Sequence, residues 1–397
     1  MIQEWLLELA KGAGKLLLNP VFYYLFFVAA LLGVSRVKRE RKNFHIRVEN
    51  AYFELRQLIP AGLAAGLVLS VITLGTGMVI PIELVWLTAA FTILWSLTGR
   101  VRLLAPAYTA GAAFFASIYI IDRGYSIPFI EAAGNWTDDM LFPAGASLLA
   151  LLMIGEAVLI VRNGGRATSP KLIKSKRGQT IGVHETKRLW LLPLFLLIPG
   201  DAISGLFGWW PLFSIGDSSY SIIFVPFSIG FHQQVQGMLP DMAAKRTGRR
   251  LLVFSIVLLL LSAAGYWYPL ASVGVAALAV IGREFITYRQ KVYDRNQPFF
   301  FSRRNEGLVV LGVKPGTPAE SMGLKTGELV SKVNGLKVQD ENDLYNALQR
   351  NGAHCKLEVF DVNGQIRFVQ KALYEGDHHE LGILFVQDEW KKDERAV

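Results

Sequence analysis

Long apolar runs separated by short polar segments fill the first 286 residues of the chain. Each run is near the length that a helix needs to cross the hydrocarbon core of a bilayer. The last two runs are continuous, and Gly265, Tyr266 and Pro269 predict a turn between them. The pattern therefore predicts a transmembrane helical region over 1–286. The predicted spans are 16–35, 58–80, 82–99, 103–121, 141–161, 190–210, 220–240, 251–267 and 268–286.

Two of these runs carry interruptions. The run 190–210 contains Pro199-Gly200-Asp201, and the run 220–240 contains His232-Gln233-Gln234. They either cross the membrane as helices or form a re-entrant pair, so the predicted number of spans is about seven to nine. Removing both crossings leaves the C-terminal tail on the same side.

Charged residues between the runs predict the orientation of the chain. Basic loops of membrane proteins stay in the cytoplasm. With nine spans and the N-terminus outside, every basic segment falls inside, and the tail after Ile286 is predicted to be cytoplasmic. The basic segments are 36–47, 100–102, 162–188 and 245–250, and the acidic or neutral segments are 122–139 and 211–219.

Composition agrees with a membrane protein. The chain is 52% hydrophobic and 18% charged, whereas soluble proteins carry about 25% charged residues. The net charge of +9 lies in short clusters between apolar runs, which argues against nucleic-acid binding. The single cysteine, Cys355, excludes an intramolecular disulfide and a cysteine-based metal site, and we expect it to be buried. The run from Leu16 to Val34 lacks a small-residue cleavage site and is expected to remain as an anchor.

Ionisable residues inside the predicted spans raise the question of transport. Glu156, Asp201 and His232 either form a proton or ion relay or are hydrogen-bonded structural groups. The sequence leaves both open. A water-lined cavity joining all three would favour a transporter.

No complete catalytic set is present. His184-Glu185-Thr186-Lys187-Arg188 begins like a metalloprotease motif but has arginine in place of the second imidazole ligand. The segment around Ser204 lacks the glycine expected two residues before a serine nucleophile. We therefore predict no catalytic, cofactor-binding or metal site and no enzyme activity.

Gly62 and Gly66 form a G-x-x-x-G pair in an apolar run. This spacing lets two helices approach closely. It predicts helix packing either within one chain or between two copies, so a homo-oligomer stays open.

A basic segment follows the last span. Residues 287–304 are predicted to form a juxtamembrane linker, with Phe299, Phe300 and Phe301 among the cationic residues. The linker either lies on the lipid of the inner leaflet or is a solvated connector.

From residue 305 to 390 the pattern changes to short strands, turns and two helices, before a tail at 391–397. Strands are predicted at 307–313, 327–333, 356–360, 365–369 and 381–386, and helices begin at Thr317 and Asn342. The order of turns and helices resembles the PDZ domain in its bacterial arrangement, with Glu328 where aspartate is usual. The matching residues are Val313-Lys314-Pro315-Gly316-Thr317-Pro318-Ala319, Gly323-Leu324-Lys325-Thr326-Gly327-Glu328, Val333-Asn334-Gly335 and Asp343-Leu344.

PDZ domains bind extended peptides by adding a strand to a sheet edge beside a helix. The resemblance implies a ligand strand at Leu381-Gly382-Ile383-Leu384 and a facing helix wall at Leu344, Ala347 and Leu348. The alternative is that 381–384 is an ordinary core strand.

The whole arrangement resembles the MinJ family, topological determinants of division-site placement in Gram-positive rods. The resemblance rests on chain length, the early basic run Ser35-Arg36-Val37-Lys38-Arg39-Glu40-Arg41-Lys42 and the C-terminal PDZ-like domain. It implies a polytopic α-helical membrane protein with a cytoplasmic α+β PDZ-like domain, located at septum and poles. It also implies a scaffold that links a DivIVA-like polar protein to MinD, to MinC through MinD, and to other division proteins. A membrane-associated protease and a transporter with a regulatory PDZ domain are the alternatives.

Overall fold

The computed structural model describes residues 2–123, 138–204, 210, 219–350, 354–373 and 381–386. The predicted acidic loop, most of the connection after residue 204 and the tail 391–397 lie outside the described residues. The first helices are α1 (Ile2–Leu18), α2 (Pro20–Phe44), α3 (Phe53–Gln57), α4 (Pro60–Thr76), α5 (Ile82–Ser96) and α6 (Pro106–Asp122). They are followed by α7 (Asp138–Asn163), β1 (Ser169–Lys174), β2 (Thr180–Ser204), β3 (Ser219–Val235), α8 (Pro240–Ser262) and α9 (Pro269–Arg295).

Five helical segments in the described part of the chain are long and apolar enough to cross a membrane: Pro20–Phe44, Phe53–Thr76, Leu141–Asn163, Pro240–Tyr266 and Pro269–Arg295. The segment in α7 is 83% buried, against 28–33% for the other four, so α7 lies at the centre of the bundle. Two further predicted spans are the shorter helices α5 and α6, of 15 and 17 residues. The predicted total of seven to nine spans is thus not confirmed.

The prediction of helices at 190–210 and 220–240 is wrong. Residues 190–204 and 220–235 belong to β2 and β3, which pair with each other in one long antiparallel hairpin. Nearly every residue is buried from Leu189 to Leu197 and from Ile222 to Ile229. A strand that is buried on both faces reads as a continuous apolar run, and such a run has no periodicity that separates it from a buried helix.

Helix α4 closes the outer edge of β2. Ser70 Oγ accepts the N–H of Phe195 at 2.9 Å, and Thr73 Oγ1 donates to the carbonyl of Phe195 at 2.7 Å. The carbonyl of Leu58 accepts the N–H of Leu191 at 2.9 Å. Backbone polar groups in an apolar layer must be satisfied within the protein, and these contacts satisfy the strand where no third strand follows.

Two prolines of the β2–β3 hairpin lie at positions where the ladder does not use the backbone N–H. Pro193 lies opposite Pro226 in the hairpin. Leu191 and Phe195 direct their N–H groups outward to α4, so Pro193, at the alternate position between them, occupies an outward site as well. Because Pro226 is the register partner of Pro193, its backbone nitrogen faces the outer edge of β3. Neither proline breaks a ladder hydrogen bond, which is the condition for proline within a sheet.

The C-terminal domain has its own hydrophobic core, which includes Leu344, Leu357 and Val359. Its sheet has the order β4-β6-β8-β9 with β7 on β6, and β10 pairs with β5. The predicted Asn334-Gly335 turn has φ of 50° and 85° at these residues, as a tight hairpin turn requires. The elements are β4 (Leu308–Val309), β5 (Gly312–Val313), α10 (Pro318–Ser321), β6 (Leu329–Val333), β7 (Leu336–Lys337), α11 (Glu341–Gln349), β8 (His354–Phe360), β9 (Ile366–Ala372) and β10 (Ile383–Leu384).

Candidate functional site

Among the residues that the structure describes, the candidate ligand strand is paired on one edge, with β5 and the residues that flank it. The N–H of Leu311 donates to the carbonyl of Leu384 at 2.8 Å. The N–H of Lys314 donates to the carbonyl of Gly382, also at 2.8 Å. Because main-chain groups alternate in direction along a strand, the N–H and C=O of Ile383 point to the opposite edge. That edge is where an added peptide strand pairs in the PDZ mode of binding.

Helix α11 supplies the facing wall. Asp340 forms a capping box at its start, which fixes the first turn. Leu344, Ala347 and Leu348 are at most 3% exposed and share one hydrophobic cluster with Leu381. The structure therefore brings the three predicted helix residues together with the first residue of the predicted ligand strand.

The remaining strand residues have different surroundings. Gly382 has φ of +81°, and a Cβ at this position would lie 2.2 Å from the hydroxyl oxygen of Thr317, so the position requires glycine. Ile383 packs against the cluster of α11. Leu384 instead packs with Phe301 and Val48. One face of β10 thus belongs to the candidate groove, and the other contacts the rest of the protein.

Phe301 joins the C-terminal domain to β2. Its side chain is fully buried, and its carbonyl accepts the N–H of Gly182 at 2.8 Å. Its ring lies 4.8 Å from the imidazole of His184, centroid to centroid. A Cβ on Gly182 would lie 2.5 Å from Cδ1 of Leu311, so a larger residue would require side chains of the C-terminal domain to shift. The C-terminal domain is therefore docked on the hairpin.

Within the predicted linker 287–304, this docking places Phe301 inside the protein. Helix α9 continues to Arg295, so the first half of 287–304 is helical. Phe299 and Phe300 are half-buried, and Phe301 is enclosed between two parts of the protein. Phe301 is therefore neither on a lipid surface nor in a solvated connector, because burying a phenylalanine against protein removes a large apolar area from water.

Beneath the docked domain lies a buried, charge-balanced cluster. Arg36 contacts Glu40 at 2.9 Å and Glu54 at 3.0 Å, and Arg188 contacts the same Glu54 oxygen at 2.6 Å. The second oxygen of Glu40 accepts the N–H of Val48 at 2.8 Å. Buried charges are tolerated when they are paired and hydrogen-bonded. The cluster ties α2, α3 and β2 to the segment whose Val48 touches the C-terminal domain. Part of the early basic run is thus structural.

Glu185 lies next to this cluster and contacts three basic side chains. It contacts Arg39 at 2.8 Å, Lys187 at 3.2 Å and His232 at 3.0 Å. Burial raises the pKa of Glu185, but the hydrogen bond with His232 and the charges of Arg39 and Lys187 outweigh burial and lower the pKa to about 2. Burial lowers the pKa of the neighbouring His184 to about 4. At neutral pH Glu185 is therefore ionised and His184 is uncharged.

The stretch 184–188 does not form a metalloprotease site. It lies in β2, where successive side chains point to opposite faces, rather than on a helix that would align two ligands. Arg188 is engaged with Glu54. Among the residues that the structure describes, no group of three or more His, Cys, Asp or Glu side chains is placed to hold a metal ion.

The three ionisable residues considered for transport do not converge. Glu156 is fully buried and pairs with Arg283 at 2.8 Å. His232 pairs in register with Lys187, and Asp201 lies fourteen residues farther along β2, which corresponds to about 46 Å of strand. Asp201 is exposed at that far end. The geometry gives no single relay through the three.

Glu328, the one departure from the usual PDZ pattern, has a defined role. It is 3% exposed and accepts the N–H of Lys325 at 2.8 Å. Its carboxylate also receives two hydrogen bonds from Arg367, at 2.9 and 2.7 Å. A bidentate arginine contact of this kind fixes geometry strongly, so the longer side chain still closes the turn before β6.

Sequence reasoning missed the docking contacts. Gly182 was the one available signal, as a glycine among β-branched residues that marks a close approach. Phe301, Leu384 and Val48 carried no such signal, because their contacts join segments far apart in the chain.

Residues 309–359 match the PDZ domain family. Over 100% of its length the chain is 41% identical to 99% of "Cell division topological determinant MinJ" of Bacillus subtilis (strain 168). Over 94% of its length it is 25% identical to 98% of "Probable cell division topological determinant MinJ" of Lacticaseibacillus paracasei.

Similarity to a protease is confined to a small part of the chain. "Serine protease HTRA2, mitochondrial" of Drosophila ananassae is 31% identical over 74 residues, which are 19% of this chain and 17% of that protein. No solved structure matches the chain.

Proposed function

The chain belongs to the family of the cell division topological determinant MinJ, and we propose that it is a membrane adaptor in division-site selection. In this proposal it links a DivIVA-like polar scaffold to MinD, and through MinD to MinC, at the septum and the cell poles. The observation that carries the proposal is similarity along the whole chain to a protein named as a division determinant. The PDZ domain adds a module suited to protein contacts.

We assign partner docking to the PDZ groove. The open edge of β10 at Ile383 would pair with an extended peptide, while Leu344, Ala347 and Leu348 would bound its apolar side chains. Leu381 packs in the same cluster as these helix residues, and the carbonyls of Gly382 and Leu384 hold the strand in place by accepting the N–H groups of Lys314 and Leu311. The five helical segments with the length and apolarity of spans would hold this groove at the inner face of the cell membrane.

The protease and transporter alternatives receive no support from a specific observation. The full-length relatives carry the name of a division determinant. Asp201 lies fourteen residues along β2 from the register partner of His232, so the three ionisable residues do not form one relay.

Localisation of division proteins in cells that lack the gene tests the adaptor role. We expect labelled MinD, or its counterpart in that organism, to lose its concentration at septum and poles, and the polar scaffold to keep its own position. If MinD remains concentrated normally in those cells, the adaptor function is refuted.

A second experiment tests the groove separately. Ile383→Pro removes the N–H offered to a peptide and leaves the bonds of Leu384 and Gly382 to β5 in place. We expect partner recruitment to fall to the level of a chain that lacks residues 305–397. Protection of the Cys355 thiol reports whether the domain stays folded. Full recruitment by a folded Ile383→Pro protein would show that the groove is not the contact.

A further inference from the structure

A polar cavity of about 370 Å³ lies between β3, α8 and the C-terminal half of α9. This volume is at the lower end of the range of about 300–1,000 Å³ usual for small-ligand sites. The lining of the cavity includes Arg102, His232, Gln233, Gln290, Lys291 and Arg295.

The mouth of the cavity carries uncompensated positive charge. Arg102 is engaged by Glu284. Asp294 is the acidic residue of the lining. Its carboxylate accepts main-chain N–H groups at 2.9 and 3.0 Å, and it forms no ion pair with a basic side chain among the described residues. Lys291 and Arg295 are exposed, and no carboxylate of the described residues forms an ion pair with either of them. Two free cations one helical turn apart favour an anionic ligand.

Gln290 is a buried lining residue whose amide oxygen lacks a hydrogen-bond donor. It is 3% exposed, and its Oε1 has no partner among the described atoms. Its amide nitrogen has only a weak contact, 3.9 Å to the sulfur of Met238. Leaving a buried amide oxygen unpaired costs free energy of folding. A ligand that brings a hydroxyl group to this oxygen would remove that cost.

The outer face of α9 places the cavity at headgroup level. Phe285 and Tyr288 are 57% and 65% exposed on this helix, and Arg289 lies 5.8 Å from the ring of Phe285. Arg246 of α8 stacks on Tyr293 at 3.5 Å. Exposed aromatic and basic side chains on apolar helices mark the boundary between hydrocarbon and water. The cavity therefore opens where lipid phosphates lie.

We propose that this cavity binds the headgroup of an anionic phospholipid that carries a free hydroxyl, of the phosphatidylglycerol type. The phosphate would contact Lys291 and Arg295, and a headgroup hydroxyl would donate to Oε1 of Gln290. A soluble glycerol phosphodiester offers the same polar chemistry, so the experiment separates the two sources.

Native mass spectrometry of the full chain in detergent measures the binding. Phosphatidylglycerol, phosphatidic acid, phosphatidylcholine and soluble glycerophosphoglycerol are titrated in turn. The test variant is Lys291→Ala with Arg295→Ala. The control is Arg249→Ala with Arg289→Ala, which removes two exposed cations of α8 and α9 that do not line the cavity.

We expect the test variant to bind phosphatidylglycerol about thirtyfold more weakly, since each basic residue beside an anionic headgroup contributes a factor of about five. The control should change by less than about twofold. Gln290→Leu should abolish the preference of the protein for phosphatidylglycerol over phosphatidic acid.

Three results would overturn the proposal. Equal losses in the test and control variants would show a general surface attraction without a site. Tight binding of soluble glycerophosphoglycerol would make the ligand a free phosphate ester. Equal binding of phosphatidic acid and phosphatidylglycerol by the unaltered chain would remove the hydroxyl contact with Gln290.

Discussion

Gly66 of α4 lies directly against the carbonyl of Pro193 in β2, so close that a Cβ on Gly66 would be 2.0 Å from that oxygen. Gly62 has the same relationship to the carbonyl of Leu191, at 1.9 Å. The G-x-x-x-G pair therefore packs a helix against the edge of a strand rather than against another helix. This contact brings Ser70 and its neighbours within hydrogen-bond distance of the strand, and a buried hairpin edge requires such partners.

Gly66→Ala should destabilise the protein strongly. The added methyl group meets backbone atoms of β2, which cannot move aside as a side chain can. We expect a loss of more than about 2 kcal/mol, as is typical when a tight backbone contact is broken. Thermal unfolding in detergent, followed by size-exclusion chromatography with fluorescence detection, measures the change.

Gly75→Ala is the matched control, on the same helix. A Cβ at Gly75 meets nothing within 4 Å, and alanine favours a helix over glycine by about 0.5–1 kcal/mol. This variant should be neutral or slightly more stable. Equal midpoints for Gly66→Ala and the unaltered chain would mean that α4 does not close the edge of β2.

Glu54→Gln should also be strongly destabilising, for an electrostatic reason. Glu54 pairs with both Arg36 and Arg188, and all three side chains are at most 7% exposed. Neutralising it leaves two buried guanidinium groups short of one negative charge, at a cost of about 3–5 kcal/mol. The same thermal assay measures the loss.

Lys245→Ala provides the comparison for an exposed pair. Lys245 contacts Asp241 at 2.6 Å, with side-chain exposures of 47% and 54%, and such a surface pair contributes less than about 1 kcal/mol.

Combining Glu54→Gln with Arg188→Met should recover part of the stability lost in Glu54→Gln, because one unpaired charge is then removed. No recovery in the double variant would argue against a charge imbalance as the cause.

The sequence predicted the helices better than the hairpin, and the reason is physical. Helices α7, α8 and α9 are long and apolar, so the length of each run identified α7, and length together with the turn signal at Gly265, Tyr266 and Pro269 identified α8 and α9. In β2, Leu192, Leu194 and Leu196 are buried on one face and Leu191 and Leu197 on the other. Strand periodicity is invisible when both faces are apolar.

The candidate groove was predictable only in part. Turn chemistry at Pro315-Gly316 and Asn334-Gly335 identified the domain, because few residue types tolerate those backbone angles. The resemblance implied a ligand strand at 381–384, and its pairing with β5 was seen only in the structure. The contact of Phe301 with Gly182 joins residues more than a hundred positions apart, and no local pattern encodes such a pair.

The thiol of Cys355 should be nearly inert while the PDZ domain is folded. The side chain is fully buried, and burial raises its pKa to about 12. The thiolate is the reactive form, so maleimide labelling at pH 7.5 should be slow until the domain unfolds. Cys355 is the one cysteine of the chain, which makes labelling a direct reporter of this domain.

An exposed thiol in the same domain calibrates that experiment. Gln370 is exposed on β9, so Gln370→Cys in a Cys355→Ala background should label at the rate of a free thiol. Rapid labelling of Cys355 in the folded protein would contradict its burial.

Acidification should loosen the docking of the C-terminal domain on β2. His184 is buried against Phe301, and burial lowers the pKa of His184 to about 4, below its ordinary value of about 6.5. The docked state therefore binds fewer protons than the undocked state between these values. The docked state therefore has its full stability above pH 6.5. The free energy that favours docking decreases as the pH drops toward 4, by on the order of 2 kcal/mol at pH 5.

The groups facing His184 allow this prediction to be isolated. Glu185, with its pKa of about 2, stays ionised across that range. Hydrogen-exchange protection factors of the amides at Gly182 and Leu311, measured at pH 7.5 and pH 5, should fall on acidification. His184→Phe keeps an aromatic ring beside Phe301 and removes the titrating group, so its protection should not change with pH. An equal fall in His184→Phe would assign the loosening to another group.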